Sequence, residues 1–479
     1  MLPNIRSAAL PGPGPTPGIP SRLIPVSLLS LLLMLPACCT TSEIGLDQAG
    51  RPVRTILGIE KRAEGRITLY DLPSSCWPDA PDRGDHGDGE LLPTRSEDPL
   101  FSGLDAVSID HFALLKNRRF ALLTNATGLD RNLDRGLELM LEAGVRPELV
   151  FEPEHGLYGY LDEPGPDGFQ RDRKHGLRVL SLYSKRRKPA PEHLAGIDLI
   201  VVDIANLPVR CYTYVSTLTY LMEAAEENGI ELLIFDRPNP YGFWQAQGSF
   251  LQEGYTSFVS EAPVPFLYSM TPGEYANYMA DLRFHDLKLS VVQVAGYRRV
   301  EIDAPLRKSW INPSPNIPSL ESALVYPGMV FFEAVPFSLG RGTTRPFVYS
   351  GAPWLEAELI VEGLRELNLP GVEISEVSFR PTASVYKNQT CLGVQLTPVS
   401  SRFDPLRTGY EYMRLVRKLH PDRFRLRKDR QGRHFIDKLW GGPAYREAIE
   451  ADIPYDRFRR TWFREAEIFE EIVERYRLY

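Results

Sequence analysis

Cysteine is sparse in this sequence. There are five, Cys38, Cys39, Cys76, Cys211 and Cys391, and no CxxC pair among them. The eight histidines form no HxxxH or HExxH pattern. A zinc site therefore has no support, and no metal is expected. The charge is not concentrated either. The net value of −7 is spread along the chain without a basic stripe, which argues against a nucleic-acid partner. No run of about 20 apolar residues is present to span a bilayer. What remains is 43% hydrophobic and 24% charged, the balance of an ordinary globular protein. A length of 479 residues suggests two or three domains.

The amino terminus reads as an address. Arg6 and Arg22 are its only charges before Glu43, and residues 23–37 read LIPVSLLSLLLMLPA. That run suits the core of a secretory signal peptide. It ends in Leu35, Pro36, Ala37 and Cys38, which looks like a bacterial lipobox with Cys38 as the lipidated residue. The expectation is a lipoprotein signal over 1–38 and an envelope protein held to the bilayer by acylated Cys38, on the periplasmic or outer-surface side. Plain cleavage after Ala37 is the alternative. Residues 39–100 are rich in Gly, Pro, Asp and Ser and read as a flexible tether, with one strand-like piece from Arg66 to Tyr70. Cys76 within it is read as incidental, with an envelope disulfide to Cys39 left open.

Past residue 100, apolar strands alternate with helices. Strands are predicted at 119–125, 148–153, 177–182, 198–203 and 230–236, and helices at 132–143 and 217–228. Near-continuous apolar strands mean a sheet covered on both faces. The fold class is α/β: a Rossmann-like, mostly parallel sheet domain over 101–270, then a smaller α+β carboxy-terminal domain over 271–479. In such sheets ligands bind beyond the carboxyl ends of the strands. Polar groups gather there: Asn125, Glu154 with His155, Asp203, and Asp236 with Arg237. No GxGxxG follows the first strand, so no nicotinamide or flavin cofactor is expected. In the second domain Thr271 and Glu274 mark a helix start, 312–346 reads as a long irregular stretch, and helices are predicted at 357–367, 410–419 and 462–475.

Nine segments carry a resemblance. They are LTNATG (123–128), PEHGL (153–157), SLY (181–183) with Lys188 and Pro189, Arg210 with YTY (212–214), FDRPNP (235–240), PSPNIP (313–318), VYPG (325–328), GRGTTRPF (340–347) and GAPW (351–354). In this order they resemble the exo-acting β-N-acetylmuramidase family of peptidoglycan hydrolases. The resemblance implies removal of N-acetylmuramic acid from non-reducing ends of peptidoglycan glycans or muropeptides. It also implies a site in the cleft between a Rossmann-like domain and a smaller carboxy-terminal one, with Glu154 as the catalytic acid.

Glycoside cleavage needs one carboxylic acid to protonate the departing oxygen and a second group to attack or to activate water. Glu154 lies on a turn between Pro153 and Gly156, which presents a side chain at the sheet edge. His155 either orients it, binds sugar or packs on the turn. Asp203 and Asp236 are candidates for the second carboxylate or, equally, loop caps. Arg237 is a candidate partner of Asp236. Arg210, Arg341 and Arg345 are candidates to bind the lactyl carboxylate through the planar guanidinium fork, or else to tie down loops. Asn125, Asn239 and Asn316 are candidates to read sugar hydroxyls or the acetamido group. Tyr212 and Tyr214 offer ring faces, with core packing as the alternative.

The chain departs from the family pattern at Ala205 and Asn206 (usually Gln and Asp), at Tyr158 (usually Arg), and at Ala334–Pro336 and Leu339. Two other readings therefore accompany the hydrolase: a muropeptide-binding lipoprotein that has lost the chemistry, or a hydrolase of another amino sugar.

Overall fold

The computed structural model describes residues 100–161, 163–299 and 310–479, together with the backbone of four short strands before them. The expected signal peptide and Cys38 lie outside the described residues. The four short strands are β1 (Ile44–Leu46), β2 (Pro52–Arg54), β3 (Glu60–Glu64) and β4 (Ile67–Asp71). All four lie within the stretch expected to be a tether, and the last two join the main sheet.

The first domain brings β5 (Phe120–Thr124), β6 (Leu149–Glu152), β7 (Phe169–Arg171), β8 (Arg178–Ser181), β9 (Leu199–Asp203), β10 (Glu231–Phe235) and β11 (Leu289–Val292). With β3 and β4 they form one sheet in the order β3-β4-β11-β10-β9-β5-β6-β8-β7. Seven strands, β4 through β8 in that order, run parallel, and an antiparallel strand closes each edge. The sheet continues to Leu289–Val292, well past residue 270. The chain winds outward through β5, β6 and β8, then returns to place β9 beside β5. That pairing is the switch point, where an open parallel sheet leaves a crevice at its carboxyl edge.

Each central strand is buried on both faces. Ala121 and Leu123 join one apolar cluster, Phe120 and Leu122 the other. Ile200 and Val202 oppose Leu199 and Val201 in the same way. This is why the strands read as unbroken apolar runs instead of alternating ones. Helices α1 (Gly103–Ile109), α2 (Gly136–Glu142), α3 (Tyr214–Glu227) and α4 (Pro272–Leu282) connect the strands. The start of α4 forms a capping box, with Glu274 N donating to Thr271 Oγ1 at 3.2 Å and Thr271 N donating to Glu274 Oε2 at 3.0 Å.

The second domain is built on a three-stranded antiparallel sheet, β12 (Tyr349–Ala352), β13 (Val372–Phe379) and β14 (Cys391–Pro398), with β14 central. Around it pack α5 (Leu320–Met329), α6 (Ala357–Glu366), α7 (Pro405–Leu419), α8 (Phe435–Trp440), α9 (Ala444–Glu450), α10 (Tyr455–Arg459) and α11 (Phe463–Val473). Helix α5 lies inside the stretch expected to be irregular. Pro327 within it disguises it in the sequence. Its cap is Ser319, and Gly328 lets it cross α7 closely: a Cβ there would sit 1.9 Å from the Pro405 carbonyl oxygen. Cluster residues of both sheets belong to one continuous core.

Candidate active site

Glu154 follows β6 on a tight turn. His155 (φ 72°) and Gly156 (φ 75°) both adopt the left-handed conformation. For a non-glycine such as His155 this costs on the order of 1–3 kcal/mol, so the surroundings must hold it. They do so with several bonds. Leu157 N donates to the buried Glu152 carboxylate at 2.8 Å, Gly156 N to Pro153 O at 3.1 Å, and Leu161 N to His155 O at 3.1 Å. His155 Nδ1 lies 2.7 Å from Leu161 O. His155 thus secures the loop through backbone atoms, and burial raises the pKa of the Glu152 carboxyl beneath it.

The Glu154 carboxyl itself is half-buried. Thr213 Oγ1 donates to Oε2. The hydroxyl of Tyr183 also interacts with it, and burial first, then the Glu154 charge, push that phenol's pKa up. Tyr214 OH reaches the Glu154 carbonyl at 3.3 Å and also donates to Pro313 O. The tyrosine thereby ties the Glu154 turn to the 313–318 loop between the domains. Sequence reasoning missed Thr213 and Tyr183 as neighbours of the acid, although both stand within quoted motifs. Tyr212 is buried and meets the rings of Tyr214 and Tyr326 edge-on at 4.9 and 5.8 Å, so its role is packing.

At the carboxyl ends of β5, β9 and β10 lies a cavity of about 280 Å³. Thr127, Ala205, Asn206, Arg237, Trp310 and Pro313 are among its lining residues. It occupies the crevice expected at the switch point. Asn206 donates through Nδ2 to Tyr268 OH at 2.7 Å, while its Oδ1 is buried without a partner among the described residues. An unmade bond of this kind is worth about 1–3 kcal/mol.

The remaining candidates are engaged elsewhere. Asn125 is buried, donating to Tyr214 OH at 2.9 Å and accepting from Thr127 N and Oγ1 at 2.9 and 2.6 Å. Its amide is used up in holding the β5 loop. Asp203 is 1% exposed and bound by Arg237, with Nε at 2.8 Å and Nη2 as the second donor. Burial raises its carboxyl pKa against the opposing pull of Arg237. Arg237 is therefore the partner of Asp203, where the sequence suggested Asp236.

Asp236 is fully buried and accepts from Thr271 Oγ1 and Tyr479 OH at 2.7 Å, Gly273 N at 2.8 Å and Arg237 N at 2.9 Å. Burial nevertheless pushes its pKa up to about 6. Asp203 and Asp236 thus hold the sheet edge together, and neither carboxylate is free for a ligand.

Arg210 differs from the role suggested for a lactyl-binding cation. It is 0% exposed and donates to Ser260 Oγ, Ser249 O, Val264 O and Trp440 O, which leaves no donor face open. Arg341 pairs with Glu333 at 2.6 Å and Arg345 with Glu321 at 3.5 Å. Asn239 caps its own turn through Tyr241 N at 2.7 Å, and its Nδ2 has no partner among the described residues. Asn316 sits half-buried on the 313–318 loop. Of the departing positions, Tyr158 donates to Asp172 at 2.5 Å, and Leu339 is buried in the core.

Comparison with known proteins bears on what this arrangement belongs to. Residues 120–321 match the model of the N-terminal domain of the exo-β-N-acetylmuramidase NamZ, and 324–479 match its C-terminal domain. The chain is 34% identical over 388 residues to the peptidoglycan β-N-acetylmuramidase NamZ of Bacillus subtilis (strain 168), covering 81% of this chain and 93% of that protein. Two crystal structures of DUF1343 family proteins from Bacteroides fragilis NCTC 9343 share the fold. One has a TM-score of 0.72 and 33% identity, covering 79% of this chain and 99% of its own. The other has a TM-score of 0.62 and 28% identity, covering 80% and 99%. The chain therefore belongs to the NamZ exo-β-N-acetylmuramidase family.

Proposed function

We propose that the protein is an exo-acting glycoside hydrolase that releases N-acetylmuramic acid from non-reducing ends of peptidoglycan glycans, with Glu154 as general acid. The observation that carries this reading is the state of Glu154. It is half-buried at the carboxyl edge of the sheet, its turn is supported from below, and Thr213 Oγ1 donates to it with the Tyr183 hydroxyl alongside. A hydroxyl partner orients a carboxyl without pairing its charge, and a general acid must stand free to meet the departing oxygen.

Asp203 is ion-paired to Arg237 and Asp236 is held by four donors, so neither is assigned as the second catalytic group. The 34% identity to a protein named as a β-N-acetylmuramidase supports the substrate class. Retention of the supported Glu154 turn favours hydrolysis over binding alone. We further propose that acylated Cys38 anchors the protein in the cell envelope, where this substrate is found.

The test is product identification. Peptidoglycan glycan chains incubated with the protein should yield free N-acetylmuramic acid by mass spectrometry, one residue at a time from the non-reducing end. Release of internal disaccharides, or of no sugar by a folded protein, would contradict the proposal.

A further inference from the structure

We propose that Arg187 is the specificity-determining cation that receives the carboxylate of the substrate's lactyl ether. This rests on the reading of Glu154 as the acid. Four successive cations run from Lys185 to Lys188. Three are paired with carboxylates: Lys185 with Asp167 at 3.4 Å, Arg186 with Glu192 at 4.0 Å, and Lys188 with Glu223 at 3.2 Å and Glu227 at 2.9 Å. Arg187 has no carboxylate partner among the described residues. It lies against two aromatic rings, 4.3 Å from the centroid of Tyr183 and 3.9 Å from that of Phe258, which themselves meet at 5.8 Å. Phe258 is itself stacked on Tyr220 at 6.1 Å. One guanidinium nitrogen, Nη1, is buried with no acceptor among the described residues.

Cation–π contacts fix the plane of a guanidinium without consuming its hydrogen-bond donors or its charge. The result is an oriented cation awaiting an anion. Its position makes that anion specific. The Tyr183 hydroxyl touches both the Glu154 carboxyl and Arg187, so cation and acid are separated by one phenol. A sugar placed with its glycosidic oxygen at Glu154 brings its own substituents within reach of Arg187. N-acetylmuramic acid differs from N-acetylglucosamine by the lactyl ether, whose carboxylate is the charged group. A planar fork that accepts a carboxylate through two parallel bonds suits it. The other arginines considered for this task, Arg210, Arg341 and Arg345, all have their donors or charge engaged.

The test compares chromogenic aryl β-glycosides of N-acetylmuramic acid and N-acetylglucosamine on the parent and on Arg187→Gln. The muramide should lose about 10- to 100-fold in kcat/KM, the loss expected for a charge-assisted bond. The glucosaminide should keep its value. Arg187→Met preserves the apolar stem over the two rings and should show the same loss of selectivity should the glutamine variant not fold. An equal fall on both substrates, or an unchanged ratio, would overturn the assignment.

A binding arm separates this from failure of the muramidase reading. Calorimetric titration of free N-acetylmuramic acid and N-acetylglucosamine into the Glu154→Gln protein, with and without Arg187→Gln, reads carboxylate preference without turnover. A preference lost with Arg187 supports the assignment even where the parent hydrolyses neither glycoside. A preference that survives, or no binding of either sugar, contradicts it.

Discussion

Glu154 and the pair Asp203 and Asp236 stand at the carboxyl ends of neighbouring strands of one sheet, and they meet opposite fates. Asp203 and Asp236 are fully buried and held, one by two Arg237 donors on Oδ1 and the other by four donors. Glu154 is half-buried on a strained turn whose own bonds are made by its neighbours, so that its carboxyl meets hydroxyl groups only. An acid at a strand end is thus a structural cement when the fold fills its lone pairs, and a reagent when it does not. The same contrast separates the arginines. Arg210 and Arg237 spend their donors inside the protein, whereas Arg187 keeps its charge unpaired.

That contrast can be broken at several points. Replacing Glu154 should remove activity and spare the fold, which is the largest effect expected. Replacing Asp203 should do the reverse. Asp203→Ala leaves the Arg237 guanidinium buried and unpaired, and should cost about 3–5 kcal/mol in urea unfolding. A loss below 1 kcal/mol would show that Arg237 finds water or another acceptor.

Asp236 sharpens the comparison through pH. Its carboxyl is raised in the folded state from 3.8 to about 6. The native protein therefore holds a proton that the unfolded chain has released between these values. The contribution is fully present below the unfolded value and lost as pH rises through about 6. The stability of the parent relative to Asp236→Asn should accordingly fall between pH 4 and pH 7, by on the order of 3 kcal/mol at most. A flat difference would contradict a protonated, buried Asp236. The smallest effect belongs to Arg345, whose side chain is 43% exposed and 3.5 Å from Glu321. Arg345→Ala should change unfolding by less than about 0.5 kcal/mol.

Much of the architecture was legible in the chain. The strands at 119–125 and 198–203 announced themselves as apolar runs because both sheet faces are covered, and Thr271 with Glu274 marked a helix start that the capping box fulfils. Helix α5 was not legible, because Pro327 breaks the local pattern and close contact through Gly328 compensates for it. The candidate site was legible as a set of strand-end residues but not as a set of roles. Asp203 and Glu154 look alike locally. What divides them is Arg237, 34 positions away from Asp203, and Thr213, 59 away from Glu154. The Tyr479 hydroxyl that caps Asp236 lies 243 positions along the chain. Partners at such distances leave no signature in local spacing.

The central claim is that the under-coordinated carboxyl of Glu154 is the proton donor. The most direct measurement is the rate on a chromogenic N-acetylmuramic acid glycoside, parent beside Glu154→Gln, with unfolding followed on the same samples. The account predicts turnover by the parent, a fall of roughly 10²- to 10⁴-fold in kcat in the variant, and unchanged stability. Equal rates in the two proteins would contradict it.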